Sequence, residues 1–129
     1  YPLCIDIADP TPASGFDNAE RSAFTTRAQS DLVTALALLH HLVLSKNIPL
    51  GMLAAYFARL TLGFLIIEFI PATDEKAVLL TRNKSFFHTP YDVPSFESHF
   101  SRWFTIERRS PIPGTERILY LMRKKEQHP

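Results

Sequence analysis

Apolar and polar positions along the chain punctuate it into short elements. Leu3 to Ile7 is an apolar run of strand character, halted by Asp9-Pro10-Thr11-Pro12, because proline cannot donate to a sheet ladder. Residues 13–29 are mixed and polar, with room for one helical turn around Ala19 to Phe24. Asp31 to Leu39 is almost continuously apolar, a pattern that fits a buried strand or a buried helix equally well. Its polar start and the paired histidines at its end favour a central parallel strand, since strands covered on both faces read in this unbroken way. From Pro49 the period changes to 3.6: Leu50, Leu53, Ala54, Phe57 and Leu60 share a face, predicting an amphipathic helix that Gly63 ends. Phe64 to Ile70 is β-branched and aromatic and stops at Pro71, the clearest strand of the chain. Asp74 can cap a following helix with Ala77, Val78 and Leu79 inward. Ser95 opens another, with Phe96, Phe100, Trp103 and Phe104 on one face, a stripe that reads as a stacking platform for bases or, as helical spacing favours, as core. Thr105 to Arg109, a Pro-Ile-Pro-Gly turn at 111–114 and Arg117 to Met122 predict a closing hairpin, with a flexible tail over 124–129. Alternating strands and helices imply an α/β layered domain with a mainly parallel sheet and an antiparallel pair at one edge.

Composition narrows the class. The 129 residues are 46% hydrophobic and 21% charged, the balance of a packed core. Fourteen basic against thirteen acidic side chains leave a formal charge of +1, so no overall electrostatic pull toward nucleic acid exists. The single cysteine, Cys4, excludes an internal disulfide framework. The greasiest stretch, Leu62 to Ile70, is nine residues long and contains Glu68, far short of the ~20 that span a bilayer. No basic leader with an apolar centre opens the chain, which points to a cytoplasmic protein, and the sequon Asn83-Lys84-Ser85 then carries no message. Because Tyr1 already stands next to strand-like residues, the chain is expected to be a piece of a longer polypeptide.

In open α/β sheets ligands bind beyond the carboxyl ends of the strands. Asp6 and Asp9 lie at the first such end, His40 and His41 at the second, Glu68, Pro71 and Asp74 at the third. Asp6 and Asp9 read either as ligand acceptors or as turn residues satisfying local amides. Neighbouring histidines point in different directions, and with no His-x-x-x-His and one distant cysteine a metal site is not expected. One histidine lines the crevice while the other packs or caps. Glu68, costly to bury alone, either pairs with a basic residue or faces a ligand cleft. No Gly-x-Ser-x-Gly, Walker or His-Glu-x-x-His pattern occurs, and the glycines at 15, 51, 63 and 114 never cluster.

Three phrases in order carry a resemblance: Ile5-Asp6-Ile7-Ala8-Asp9-Pro10-Thr11-Pro12-Ala13, then Ser30-Asp31-Leu32-Val33 through Leu39-His40-His41-Leu42, then Leu65-Ile66-Ile67-Glu68-Phe69-Ile70-Pro71. Together with the closing hairpin they resemble the third to seventh strands of class I S-adenosylmethionine-dependent methyltransferases, and more narrowly the methyltransferase-like proteins related to nodulation protein NoeA. The resemblance covers about Leu3 to Arg123 and implies a partial Rossmann-like sheet over 1–123 that lacks the first two βα units, with their glycine-rich loop and ribose-holding acid. It implies S-adenosylmethionine as cofactor of the full-length protein, with Asp6, Ile7, Leu39 and His40 nearest it. Asp6 would meet the adenine amino group and the Ile7 amide the ring. His40 or His41 would serve as base where the acceptor has a proton to lose, and Glu68 and Asp74 would border the acceptor. A chain of this extent is expected to be inactive alone, to leave strand edges unpaired and to form a homodimer or swapped dimer. Two rival readings stand beside it. One is a non-catalytic methyltransferase-like module acting through a protein partner; the other is a flavodoxin-like or other doubly wound domain.

Overall fold

A computed structural model describes residues 2–81 and 90–126; the sequon at 83–85 and the last three residues lie outside them. Four strands form one open sheet in the order β1-β2-β4-β3: β1 is Ser30–Ala35, β2 Thr61–Phe69, β3 Phe104–Pro111 and β4 Ile118–Lys124. β1 and β2 are parallel, joined by a right-sized helical crossover, and β4 runs antiparallel between β2 and β3. The fold is thus the mixed α/β sheet with a closing antiparallel hairpin.

One face of this sheet is covered. Leu65, Ile67 and Phe69 alternate inward from β2, Tyr120 and Met122 from β4, and all are fully or nearly fully buried. Against them pack α2 (Leu50–Leu60), through Leu50, Leu53, Ala54 and Phe57, and α4 (Val93–Phe100), through Phe96 and Phe100. Phe96 is the hub: its ring centroid lies 5.2 Å from Phe69, 4.5 Å from Phe100 and 5.0 Å from Tyr120. The aromatic stripe is therefore core. The opposite face is open, with Leu32, Leu62 and Phe64 between 42% and 58% exposed.

Several elements differ from the sequence reading, each for a physical reason. Leu3 to Ile7 forms no strand: it pairs with no described strand, and a strand is defined by its partner; Leu3 and Cys4 are exposed, while Ile7 packs on the core. The sheet accordingly has a single parallel pair. The helical turn comes later than Ala19, as α1 (Phe24–Arg27). β1 stops at Ala35, and Leu36, 58% exposed, already belongs to a turn. α2 ends at Leu60, three residues before Gly63, which lies inside β2. In α3 (Glu75–Thr81) Ala77 is buried and Leu80, three residues on, packs against the core, while Val78 and Leu79 are exposed, as a 100° step per residue requires. α4 starts at Val93, capped by Asp92, whose Oδ1 accepts from the Ser95 amide at 2.8 Å; Trp103 falls in the turn after α4 and Phe104 in β3. β4 continues through Lys124, and Lys125 donates its amide to the Trp103 carbonyl at 2.9 Å.

Candidate functional site

The carboxyl ends of β1 and β2 open on the same side of the sheet, and the chemistry gathers there. After Ala35 the chain turns through Ala37, which holds a left-handed φ of 51°. Glu68, near the end of β2, reaches across and accepts a hydrogen bond from the Ala37 amide at 3.0 Å. The Glu68 carboxylate thus takes a partner that neither expectation for it named, a backbone amide, and its charge also helps hold the Arg117 guanidinium protonated.

From this turn the backbone enters one helical step at Leu39 and His40 and widens into a π-helix over His41–Ser45. Such wide turns recur at functional sites. Leu39 is fully buried, His40 is 3% exposed and His41 faces solvent. The two imidazole centroids lie only 4.3 Å apart, tilted by 44°, so the neighbours do not diverge as a regular helix or strand would make them. Among the described residues no group of three or more metal-ligating side chains gathers.

Burial first, then the neighbouring His41 and Arg117, together lower the His40 pKa to about 4, while Asp74 opposes them. His40 is therefore neutral at physiological pH. Its Nδ1 is buried without a hydrogen-bond partner among the described residues.

Beyond β2 the Pro71–Asp74 loop is fastened to the hairpin turn. Arg117 donates Nε to Asp74 Oδ2 at 2.9 Å and Nη2 to Oδ1 at 3.0 Å, and the Thr73 hydroxyl donates to Glu116 at 2.8 Å. Asp74 also accepts from the Lys76 amide at 3.1 Å, so it caps α3 as expected. The Arg117 hydrogen bonds, ahead of the amide bonds, hold the Asp74 carboxyl below its ordinary range despite some desolvation. Between the two latched segments runs an open groove of about 700 Å³, lined by residues 73–76 and 114–117.

The whole chain, this site included, has a counterpart among known proteins. It is similar to nodulation protein NoeA of Rhizobium meliloti (strain 1021). The two are 32% identical over 125 residues, 97% of this chain and 26% of that protein, so the chain spans about a quarter of the relative's length. No protein-family model matches. Among solved structures it is similar to magnesium protoporphyrin IX methyltransferase (ChlM) from Synechocystis PCC 6803 with bound SAH. That match has 19% identity and a TM-score of 0.48, over 76% of this chain and 46% of that one. The resemblance read from the three phrases thus extends to NoeA.

Of the residues singled out from sequence, the structure brings His40, Asp74 and Glu68 into one electrostatic neighbourhood around Arg117, with His41 beside it. Asp6 stands apart from them in its polar contacts. Its Oδ1 accepts from the Ala8 amide at 2.9 Å and its carbonyl from the Asp9 amide at 3.1 Å, the turn role weighed for it. Ile7 packs on the core. Leu39 contributes backbone at most, its side chain being core. Sequence reasoning missed Ala37, whose conformation leaves no trace in its identity, and Arg117, which reads only as the first residue of a strand. The Pro-Gly turn before it was the available signal, since it folds Glu116 and Arg117 back toward the Thr73-Asp74 loop.

Proposed function

We propose that this chain is the carboxyl-terminal half of a methyltransferase domain within a longer protein that transfers a methyl group from S-adenosylmethionine. The observation that carries the reading is the convergence of His40, Glu68, Asp74 and Arg117 at the carboxyl ends of two parallel strands, beside a β1 edge with no described partner. The three sequence phrases and the antiparallel hairpin next to β2 support it.

The residues present fit one end of such a cofactor. Asp6 is exposed with a second carboxylate oxygen that no described residue engages, and no described residue accepts from the Ile7 amide. An acceptor beside a donor suits an adenine edge. No glycine-rich loop for the ribose and carboxylate ends forms among the described residues, because the four glycines lie in separate elements. The chain alone is therefore inactive in this reading, and the holding loop lies elsewhere in the protein.

When bound, the cofactor supplies a methyl on a sulfonium, and in-line positioning of the acceptor provides most of the acceleration. Neutral, buried His40 fills the wall behind that point, together with the Leu39 backbone. Exposed His41 is the group that can take a proton from the acceptor, since a base at about 4 is weak at neutral pH. Glu68 and Asp74 border the acceptor. A cytoplasmic location belongs to the same reading, where exposed Cys4 stays a thiol; no helix among the described residues is long and apolar enough to cross a membrane.

A second reading, a non-catalytic module acting through a protein partner, is favoured by the open apolar face at Leu32, Leu62 and Phe64. Calorimetric titration of the full-length protein with S-adenosylhomocysteine separates the two. Binding that is lost in Asp6→Ala supports the first. No heat and no thermal shift removes it and leaves the module.

A further inference from the structure

Ala37 is the hinge on which the histidine pair turns. A left-handed φ of 51° is a conformation that L side chains other than asparagine and aspartate rarely adopt, and Ala37 has no polar side chain with which to stabilise it. Such a residue persists only where its surroundings over-determine it. Ala37 is exposed, and so is Leu36 before it, so packing does not impose the turn. Among the described residues, the contact that remains is the hydrogen bond from the Ala37 amide to Glu68, two strands joined across their carboxyl ends. Three residues later the chain delivers His40 into the core and His41 to the surface with their rings 4.3 Å apart.

We propose that Glu68 is a positioning residue: its carboxylate holds the turn after β1 left-handed and thereby sets the placement of His40 and His41 at the candidate site. This deepens the methyl-transfer reading, on which its catalytic meaning rests, by moving Glu68 from contact with the acceptor to control of the groups that meet it. The charged or titratable groups acting on His40 are His41, Arg117 and Asp74, and the proposal leaves all three in place.

The test uses the full-length protein, with amide exchange at Ala37 and the imidazole titration of His40 read by NMR. In Glu68→Ala the Ala37 amide is expected to exchange at least about tenfold faster, as an amide freed of its acceptor does. His40 should loosen toward water, its midpoint climbing from about 4 toward the ordinary imidazole value. Removing a negative charge would by itself move that midpoint down, so a rise reports position and not charge. Glu68→Gln, which keeps an oxygen acceptor without the charge, should retain both the slow exchange and the low midpoint. Ala37→Gly combined with Glu68→Ala should restore the midpoint but not the protection, because glycine takes a left-handed φ without support. An unmoved or lowered His40 midpoint in Glu68→Ala, or a Glu68→Gln that behaves like it, overturns the proposal. If Glu68→Ala does not fold, rescue by the added Ala37→Gly is the expected result and its failure overturns it. S-adenosylhomocysteine titrated into the same proteins reports separately: absent heat in the wild type removes the methyl-transfer reading while the NMR comparison still decides the role of Glu68.

Discussion

Arg117 grips Asp74 with two parallel hydrogen bonds, Nε to Oδ2 at 2.9 Å and Nη2 to Oδ1 at 3.0 Å, across 43 residues of sequence. Both side chains are mostly shielded, 21% and 13% exposed, so the pair escapes much of the screening that makes surface ion pairs weak. It ties the hairpin turn to the loop that follows β2, and Thr73 with Glu116 repeats the tie one residue away on each side.

Asp74→Asn is accordingly expected to destabilise the protein at pH 7 by about 1–3 kcal/mol, the range for charge-assisted hydrogen bonds. The carboxyl's pKa is lowered in the folded state, so its contribution is fully present above the unfolded value of about 3.9 and is lost as pH falls through the lower folded value. Urea midpoints of the two proteins should therefore differ at pH 7 and converge at the acid end. A constant gap at all pH values would assign the effect to packing.

His40 gives the opposite pH signature to a paired histidine. Its folded pKa, about 4, lies below the unfolded value of about 6.5, so below pH 6.5 the unfolded chain binds a proton that the folded one refuses. Stability is lost progressively as pH falls from about 6.5 to 4, by an amount on the order of 3 kcal/mol in full. His40→Leu removes the titration, and because Nδ1 has no partner it breaks no hydrogen bond there. The variant should match or exceed the wild type at pH 5 while differing little at pH 7, in urea denaturation at the two values. A wild type equally stable at both would contradict the buried neutral assignment.

The parts of this architecture that the sequence announces are those where one element settles its own face. β2 follows from its β-branched and aromatic run stopped by Pro71, the closing hairpin from the turn at 111–114, and α2 from its 3.6-residue period. Elements whose state depends on a partner were not legible in this way. Leu3 to Ile7 has strand composition but pairs with no described strand, and Asp31 to Leu39 reads as one apolar run although it is half strand, half turn and helix. At the site, His40, Glu68 and Asp74 were legible from their place at strand ends. The bonds that organise them were not, since the Ala37 amide and the Arg117 fork are matters of long-range geometry.

β1 presents an outer edge with no described partner, and beside it the sheet face carries Leu32, 48% exposed, against Phe64, 42% exposed. Edges of this kind pair with other chains unless a charge blocks them. Residues 1–129 alone are expected to self-associate. Leu32→Lys should weaken that association by about tenfold or more, roughly 1.4 kcal/mol. Sedimentation velocity over a concentration series reads the change. An unaltered association in the variant would place the contact elsewhere, and a wild type that stays monomeric at about 100 μM, well inside the range of weak dimers, would remove the edge as an interface.

Gly63 sits where β2 carries one more residue than β1: Ser30 pairs with Thr61, but Leu32 pairs with Phe64. The extra residue makes a bulge, and the Thr61 hydroxyl occupies it, donating to the Phe64 carbonyl at 2.7 Å and accepting from the Gly63 amide at 3.2 Å. A Cβ at Gly63 would stand 2.9 Å from the Asp31 carbonyl oxygen, a backbone atom that cannot swing aside. Gly63→Ala should therefore push β1 from β2 and cost about 1–3 kcal/mol, the usual range for overpacking. Gly114 supplies the control, because it lies at φ +75° with nothing within 4 Å of an added Cβ. Gly114→Ala meets only the left-handed penalty of about 1–2 kcal/mol and leaves the sheet alone. Both substitutions lower the urea midpoint, but amide exchange along Leu32–Ala35 should quicken in Gly63→Ala alone. Equal protection of those amides in the two variants would show that the bulge tolerates a side chain, and that the close approach of β1 and β2 is not what requires glycine there.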